Sequence, residues 1–336
     1  MKVLVCRQPR DMVYMDAPIP PLLPGHTLLK IKRVGICGTD LHAFDGSQPY
    51  FNYPRVLGHE LAAEVVNGDG DFNPGDRVTI MPYINCGICL ACRNGNTNCC
   101  AKMQVIGVHV DGGMAEYLQV PTRLVLPAQG LSLDELALVE PLAIGAHGVR
   151  RAGVKPGEYV LVIGAGPIGL GAMEFARIAG AKVIALDINQ QRLAFCSGNL
   201  QVEYIINAST DDVTTRLMEI TNGDMPSVVI DATGNLNAIN NAFSYLAHSG
   251  RFVLIGLQKG NINFSHPEFH KREATLMSSR NATVEDFDLV ISAIKNKQIN
   301  PANYITHRVK FDDVAGCFAD WVKPGSGVVK AMVELG

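Results

Sequence analysis

Short apolar runs broken by turn-rich segments occupy the first 140 residues of the chain. Four of the runs have the composition and short length of strands: LLKIKRVGI, HELAAEVV, DRVTIMPY and MAEYLQVP. Segments rich in proline, glycine and asparagine, such as PPLLPGH, GDGDFNPGD and RNGNTN, separate them. The pattern predicts an all-β body whose loops carry candidate ligands.

The rhythm changes at about Val160 to strands and helices in alternation. The predicted strands are YVLVIGAG, AKVIALD, VEYIINA, SVVIDAT and RFVLIGL. The predicted helices are GPIGLGAMEFARIAG, QQRLAFCSGNL, DDVTTRLMEIT and NAINNAFSYLAHSG. Such alternation is typical of βαβ units around a parallel sheet, so the fold class is α/β. The tail adds two predicted helices, VEDFDLVISAIKNKQI and DDVAGCFADWVK, and a final strand, VVKAMVEL.

Length and charge limit the possible functions. A chain of 336 residues predicts two domains. A net charge of -3 gives no basic surface for nucleic acid or an anionic membrane. No apolar run approaches the roughly 20 residues of a membrane-spanning helix. Nine cysteines, several at ligand spacing, and a beginning without a leader-like segment indicate a soluble protein of the reducing cytoplasm.

The spacing C-x2-C-x2-C-x7-C of Cys86, Cys89, Cys92 and Cys100 is the most specific signal in the chain. Four thiolates in tetrahedral array fill the coordination of zinc and leave no open position. The pattern therefore predicts a structural zinc site, with Cys99 as the competitor of Cys100 for the fourth place.

A glycine-rich turn follows the first strand of the alternating region, with Gly164, Gly166, Pro167, Ile168 and Gly169 in the order G-A-G-P-I-G. Between a strand and a helix, such a turn lets a pyrophosphate approach the backbone at the helix N-terminus. We therefore expect a dinucleotide site.

Asp187 ends the next predicted strand, where a carboxylate can accept hydrogen bonds from ribose hydroxyls and would repel a 2′-phosphate. Arg192 follows and would suit NADP, but an arginine on a helix more often lies in solvent or stacks on adenine. The pattern favours NAD.

A second group of candidate ligands is scattered along the chain: Cys37, the pair His59 and Glu60, and Glu140. A catalytic zinc uses three protein ligands and keeps one position open. Thr39 and His42 follow Cys37 and could pass a proton to solvent. Only the tertiary fold could bring these residues together. Asp40 could orient these groups, but a purely structural role is the default for it.

These motifs resemble the zinc-containing medium-chain dehydrogenases over essentially the full chain. GICGTDLH, VLGHE, the cysteine lobe, DGGMAEY, EPLA and GAGPIGLG occur in the order of that family. The resemblance implies a GroES-like, mostly β catalytic domain of residues 1–143 and 281–336. It also implies an inserted Rossmann domain of residues 144–280, with the substrate in the cleft between the two domains.

The resemblance also implies roles and an assembly. Cys37 and His59 would bind the catalytic zinc, with Glu60 and Glu140 competing as the carboxylate ligand. Thr39 and His42 would form the proton relay. The cysteine lobe, with Cys100 as fourth ligand, would hold a second, structural zinc, and the subunits would form a homodimer or homotetramer.

Glu140 and the CGTD segment are similar to the polyol, sugar-acid and threonine dehydrogenase branch. Segments such as QPYFNYPRVLGHE, FSHPEFHKRE and SSRNAT resemble its L-galactonate 5-dehydrogenase group. Arg280 would suit a sugar-acid carboxylate because arginine binds that planar group through two hydrogen bonds. For His270 and Lys271, a salt bridge at a domain interface is the favoured alternative.

The resulting hypothesis is oxidation of a secondary hydroxyl of an L-galactonate-like sugar acid by NAD. A polyol, a polyol phosphate or threonine is the alternative substrate. A nucleotide-binding protein without catalysis is a more distant alternative, because the whole set of candidate ligands is present. A zinc module for nucleic acid lacks the basic surface that such binding needs.

Overall fold

The computed structural model describes residues 1–49, 51–323 and 325–336. The chain divides into two compact units: the first comprises Met1–Pro141 and Thr283–Gly336, and the second comprises Leu142–Ala282.

Strands occur in both units. In chain order they are β1 Lys2–Gln8, β2 Asp11–Asp16, β3 His26–Ile36, β4 Arg55–Val56, β5 Glu60–Gly68, β6 Arg77–Ile80, β7 Tyr83–Ile84, β8 Gln104–Val105, β9 Tyr117–Pro121, β10 Val125–Pro127, β11 Tyr159–Ile163, β12 Lys182–Asp187, β13 Tyr204–Asn207, β14 Val228–Asp231, β15 Arg251–Leu254, β16 Thr275–Ser278, β17 Ile305–Lys310 and β18 Lys330–Glu334.

Helices connect or flank these strands. In chain order they are α1 Gly38–Asp45, α2 Leu90–Arg93, α3 Leu133–Ala137, α4 Val139–Ala152, α5 Pro167–Ile178, α6 Gln190–Asn199, α7 Val213–Ile220, α8 Leu236–Ala242, α9 His266–Lys271, α10 Val284–Lys295 and α11 Val314–Trp321. Short 3-10 turns lie at Thr97–Cys99, Thr122–Leu124, Phe243–Tyr245, Pro301–Tyr304 and Phe311–Asp313.

The first unit is mostly β. Its main sheet has the strand order β10-β6-β5-β3-β18-β17, with β9 also paired to β3. Two smaller sheets have the orders β2-β1-β4 and β7-β8. Because β18 comes from the end of the chain and pairs with β3, the tail completes the sheet that begins near the N-terminus.

The prediction that loops carry the ligands of this unit is wrong in part. Glu60 is the first residue of β5, and Glu140 lies in the first turn of α4, while the relay residues Thr39 and His42 lie on α1. The hydrogen bond from the Cys37 N–H to the Asp40 carboxylate helps to start α1, because it occupies a backbone donor at the helix N-terminus.

The second unit is a six-stranded parallel sheet with the order β13-β12-β11-β14-β15-β16. This is the doubly wound order whose strand sequence reverses beside the first strand, β11. The strands read as apolar runs because both faces of a parallel sheet are covered. Leu161, Ile184, Val229 and Phe252 belong to its buried core.

Two predicted features of this unit need correction. The helix predicted over residues 237–250 ends at Ala242 and continues only as a 3-10 turn, in which the Phe243 ring packs edge-on against Phe252. The sequence also gave no signal for β16, whose residues are half-buried or exposed at the end of the sheet. A short strand without apolar alternation has no local signature.

No helix in the described part of the chain is long and apolar enough to cross a membrane.

Candidate active site

Three candidate ligands meet at one end of the main sheet of the first unit. Cys37 directly follows β3. His59 directly precedes β5, and Glu60 is the first residue of that strand, which pairs with β3. Their ligand atoms all lie within 4.8 Å of one another. The strand pairing therefore brings residues more than 20 positions apart into a group of metal-binding size.

Asp40 lies beneath this group and is almost completely buried. Its Oδ2 accepts a hydrogen bond from the Cys37 N–H at 2.9 Å, and its Oδ1 accepts one from the Gly58 N–H at 3.1 Å. Oδ1 also lies 3.7 Å from His59 Nδ1, a buried nitrogen that has no hydrogen-bond partner among the described residues. At 3.7 Å the two groups are within ion-pair distance but are not hydrogen-bonded, so the Asp40 carboxylate lies beside the ring nitrogen of His59 without holding it.

Negatively charged groups surround His59 and favour its protonated form. Burial by itself lowers the pKa of His59, but Asp40 and Cys37 outweigh it and raise this pKa well above its ordinary value. The surroundings of His59 are therefore strongly anionic and suit a cation.

Glu60 has a buried partner that the sequence did not reveal. Lys330 on β18 places its Nζ 2.5 Å from Oε1 and 2.6 Å from Oε2 of Glu60. Glu60 and Lys330 are both fully buried. The available signal was the strand VVKAMVEL itself, because a lysine in a run that is apolar on both faces needs a buried partner.

Glu140 is also buried but is not a member of the group formed by Cys37, His59 and Glu60 among the described residues. The Tyr83 hydroxyl donates a hydrogen bond to Glu140 Oε1. Burial raises the pKa of Glu140, whereas His59 acts in the opposite direction. Glu140 therefore interacts electrostatically with His59, although its hydrogen bond is to Tyr83.

Thr39 and His42 share one face of α1 because they are three residues apart. Thr39 is half-buried and His42 is exposed. The pair therefore extends from the neighbourhood of Cys37 toward solvent.

The four cysteines of the predicted lobe converge in the structure. The sulfurs of Cys86, Cys89, Cys92 and Cys100 lie within 4.8 Å of one another, and exposed Cys99 is not a member of the group. Tetrahedral zinc with Zn–S bonds of about 2.3 Å would separate its sulfurs by about 3.8 Å. The lobe is thus of the right size for one zinc ion.

Backbone N–H groups point at these sulfurs, as expected for thiolates. Cys100 Sγ accepts from the Cys86 and Lys102 N–H groups, each at 3.3 Å. Backbone hydrogen bonds, the largest from Ala101, lower the pKa of Cys89 to about 6. Because zinc binds the thiolate form, this donor set fits the metal.

The glycine turn lies where β11 ends and α5 begins. Gly166 precedes α5 and Pro167 is its first residue, a position where the missing N–H of proline costs nothing. A side chain at Gly169 would overlap the Gly164 carbonyl oxygen, so the turn can close only with glycine there. Ile168 lies in the first turn of α5, whose N-terminal N–H groups can face an anion.

Asp187 is the last residue of β12 and lies beside this turn. Its Oδ2 accepts a hydrogen bond from the Ala165 N–H at 2.6 Å, and its Oδ1 accepts one from the Asn189 N–H at 2.8 Å. Arg192 lies in the first turn of α6 and is half-buried. The structure therefore brings the carboxylate to the turn itself.

Arg280, the predicted substrate contact, and the two cations His270 and Lys271 lie on the second unit. Arg280 follows β16 and is exposed. It also interacts with another group of the protein. His270 and Lys271 are exposed at the end of the short helix α9.

The family model "Alcohol dehydrogenase GroES-like domain" matches residues 23–130, and the model "Zinc-binding dehydrogenase" matches residues 167–296. The L-galactonate-5-dehydrogenase of Escherichia coli (strain K12) is 45% identical over 340 residues, covering 100% of this chain and 99% of that protein.

Two solved structures extend the comparison. A short chain alcohol dehydrogenase of Escherichia coli CFT073, solved with NADH, has a TM-score of 0.92 at 28% identity and covers 100% of this chain and 99% of its own. The L-idonate 5-dehydrogenase of Escherichia coli K-12 MG1655 has a TM-score of 0.89 at 25% identity, with coverage of 99% and 98%.

The chain belongs to the zinc-binding alcohol dehydrogenase family. It is an oxidoreductase that acts on CH–OH groups, with zinc and a nicotinamide nucleotide as the cofactors. The predicted class of enzyme and the predicted combination of a GroES-like with a Rossmann-type fold are confirmed.

Proposed function

We propose that this enzyme uses NAD to oxidise a secondary hydroxyl group of a six-carbon sugar acid similar to L-galactonate. The observation that carries the proposal is the convergence of Cys37 with His59 and Glu60 in a chain that is 45% identical to an L-galactonate-5-dehydrogenase over its whole length.

Cys37 and His59 would hold the catalytic zinc together with Glu60 or Glu140. Three protein ligands leave one position open for a substrate oxygen. When bound, zinc supplies Lewis-acid stabilisation of negative charge on that oxygen. The Asp40 carboxylate, 3.7 Å from Nδ1 of His59, would orient this ring and leave Nε2 as the ligand atom.

Thr39 and His42 would remove the hydroxyl proton. The threonine hydroxyl can accept a proton and donate its own, and the imidazole of His42 can release one to solvent. The half-buried position of Thr39 and the exposed position of His42 support this direction of transfer.

The turn of Gly164, Gly166, Pro167, Ile168 and Gly169 would bind the pyrophosphate of NAD, which accepts the hydride when bound. Asp187 supports NAD over NADP because its carboxylate lies at the turn and would repel a 2′-phosphate. Arg192 would then stack on adenine or remain in solvent.

A second zinc would be held by Cys86, Cys89, Cys92 and Cys100 and would be structural, because all four of its positions are filled. We assign residues 1–143 and 281–336 to the catalytic domain and residues 144–280 to the NAD-binding domain. Nine free cysteines support a reducing compartment, and we propose the cytoplasm. We also propose assembly into a homodimer or homotetramer.

Arg280 would bind the substrate carboxylate through its planar guanidinium group. A polyol, a polyol phosphate or threonine remains the alternative substrate.

The test is NAD reduction at 340 nm by zinc-loaded enzyme with C6 aldonates, free polyols, polyol phosphates and threonine. Activity confined to L-galactonate or a close epimer supports the proposal. A preference for an uncharged polyol would contradict the sugar-acid assignment. Arg280→Gln should then raise KM for the aldonate with little effect on residual activity toward an uncharged polyol.

Cys37→Ser tests the catalytic zinc within the same assay. The variant should lose turnover, because a hydroxyl is a poor zinc ligand, and should retain NAD binding. The matched control is Cys317→Ser, which changes a half-buried cysteine outside both clusters. Retained turnover in Cys37→Ser would contradict the assigned role.

A further inference from the structure

The short helix α9 of the second unit carries two histidines four residues apart, His266 and His270. Residues at this spacing lie one turn apart on the same face of a helix. Their rings lie edge to face, with the centroids 5.9 Å apart. Two histidines at this spacing on one helix face form a zinc-binding pair in metalloproteases, so the spacing is compatible with a shared metal ion.

The side chains of this pair are available as ligands. Both rings are exposed, and neither makes a hydrogen bond or an ion pair within the described part of the chain. The carboxylate between them in sequence, Glu268, instead accepts a hydrogen bond from Arg272 at 2.6 Å. The imidazole nitrogens of His266 and His270 are therefore not committed to the structure of the protein.

The helix that carries the pair is anchored to the second unit. The Phe269 ring packs against the rings of Phe243 and Phe264, with centroids 6.0 and 5.0 Å away. At the end of α9, Arg272 Nε donates a hydrogen bond to the Leu246 carbonyl oxygen at 3.1 Å. Because these contacts hold the backbone of α9, the two histidines keep their spacing before any ion binds.

The distance between the rings suits one metal ion after a small adjustment. A transition metal bound to two imidazole nitrogens at about 2.0–2.1 Å holds the ring centres about 5 Å apart. Rotation of the two exposed side chains closes the observed 5.9 Å to that value. Among the described residues, no further His, Cys, Asp or Glu joins the pair in a group of metal-binding size. Water would fill the other positions, so the site would be weaker than a four-cysteine site.

We propose that His266 and His270 form a further metal site, which binds a divalent transition metal ion through two imidazole nitrogens and water. Imidazole suits Ni²⁺, Cu²⁺ and Zn²⁺, whereas Mg²⁺ and Ca²⁺ prefer oxygen ligands. The bound ion would connect the first and last turns of α9 and stabilise this helix. The proposal is independent of the reaction and substrate proposed above, because it uses none of the residues assigned to them.

The test is calorimetric titration of the zinc-loaded, full-length protein with Ni²⁺, with the zinc and nickel contents measured at each step. The natural chain should bind one nickel ion per subunit at this site while it keeps its zinc. His266→Gln and His270→Gln should each weaken this binding about tenfold or more, because only one imidazole remains. Titration with Mg²⁺ should give no such binding.

The matched control moves the second imidazole without changing the number of histidines. His270→Gln combined with Lys271→His turns that ring about 100° around the helix axis, so it should not restore binding. His248→Gln removes another exposed histidine of the same unit and should leave nickel binding unchanged. Thermal unfolding of each variant checks that the fold is intact.

Three results would overturn the proposal. The first is natural nickel affinity in His266→Gln or His270→Gln, and the second is natural affinity in the combined variant. The third is nickel uptake that occurs only as zinc is lost, which would place the nickel in a zinc site. Because these measurements use no substrate, they remain decisive if every alcohol in the activity panel fails.

Discussion

The Asp40 carboxylate contacts both the backbone around the candidate metal site and the side chain of His59. It accepts hydrogen bonds from the backbone N–H groups of Cys37 and Gly58. Its Oδ1 also lies 3.7 Å from His59 Nδ1. The sequence left two roles open for this residue, orientation of the neighbouring groups and a purely structural role, with the structural role as the default. The short distance of 3.7 Å between the Asp40 carboxylate and Nδ1 of His59, a proposed zinc ligand, supports the orienting role as well.

Asp40→Asn should lower the affinity of the catalytic-site metal by about 10–100-fold, because an amide cannot stabilise the Nδ1–H of His59 as a carboxylate does. The measurement is zinc release under chelator competition, with the four-cysteine zinc as the internal reference. Asp45→Asn is a suitable control, since that carboxylate is exposed at the end of the same helix and pairs with Arg10. Equal metal affinity in Asp40→Asn and the natural chain would show that the residue acts only on the backbone.

The turn between β11 and α5 contains two glycines, Gly166 and Gly169, that look alike in the sequence but are needed for different reasons. Gly169 is needed for the turn itself, because a side chain would overlap the Gly164 carbonyl oxygen. Gly166 has open space around the position of a side chain and has a φ of -83°, which any residue can adopt. A bound pyrophosphate that approaches the backbone would explain why Gly166 lacks a side chain.

The matched pair Gly166→Ala and Gly169→Ala tests this distinction. Gly166→Ala should fold normally and weaken NAD binding by about tenfold or more, equivalent to about 1.4 kcal/mol. Gly169→Ala should lose about 1–3 kcal/mol of stability through the forced overlap. Calorimetric NAD titration and thermal unfolding of both variants provide the measurements. Natural affinity in Gly166→Ala would place the pyrophosphate elsewhere.

At the scale of the whole molecule, the parallel sheet ends in an exposed edge. Within the described residues β16 pairs only with β15, and three of its four residues are exposed, including Leu276. A bare strand edge with an apolar side chain is a template for pairing with another chain. A second copy related by a twofold axis would satisfy both edges at once.

Leu276→Glu should therefore shift the proposed oligomer to a smaller species, because the twofold axis would set two buried charges against each other. Light scattering coupled to size exclusion measures the mass. Leu289→Glu is the matched control, since Leu289 has nearly the same exposure, 41% against 38%, on helix α10 of the other unit. An unchanged mass in Leu276→Glu would exclude this edge as the interface.

The sequence by itself determined the features whose parts are close together in the chain. The cysteine lobe spans residues 86–100, and the glycine turn spans residues 164–169, so spacing alone limited their geometry. The alternation of strands and helices determined the class of the second unit for the same reason. Such signals are local, and local backbone geometry is nearly the same in every fold that contains them.

Only the tertiary structure decided how the distant carboxylates of the site are held. Lys330 and Glu60 are 270 residues apart, and Tyr83 and Glu140 are 57 apart. No periodicity predicts such pairs, because they depend on the antiparallel register of β18, β3 and β5 and on the packing of α4. The apolar strand around Lys330 signals that the lysine needs a buried partner, but it does not say which carboxylate that partner is. The free energy of burying both charges decides that choice, and it is a property of the folded molecule.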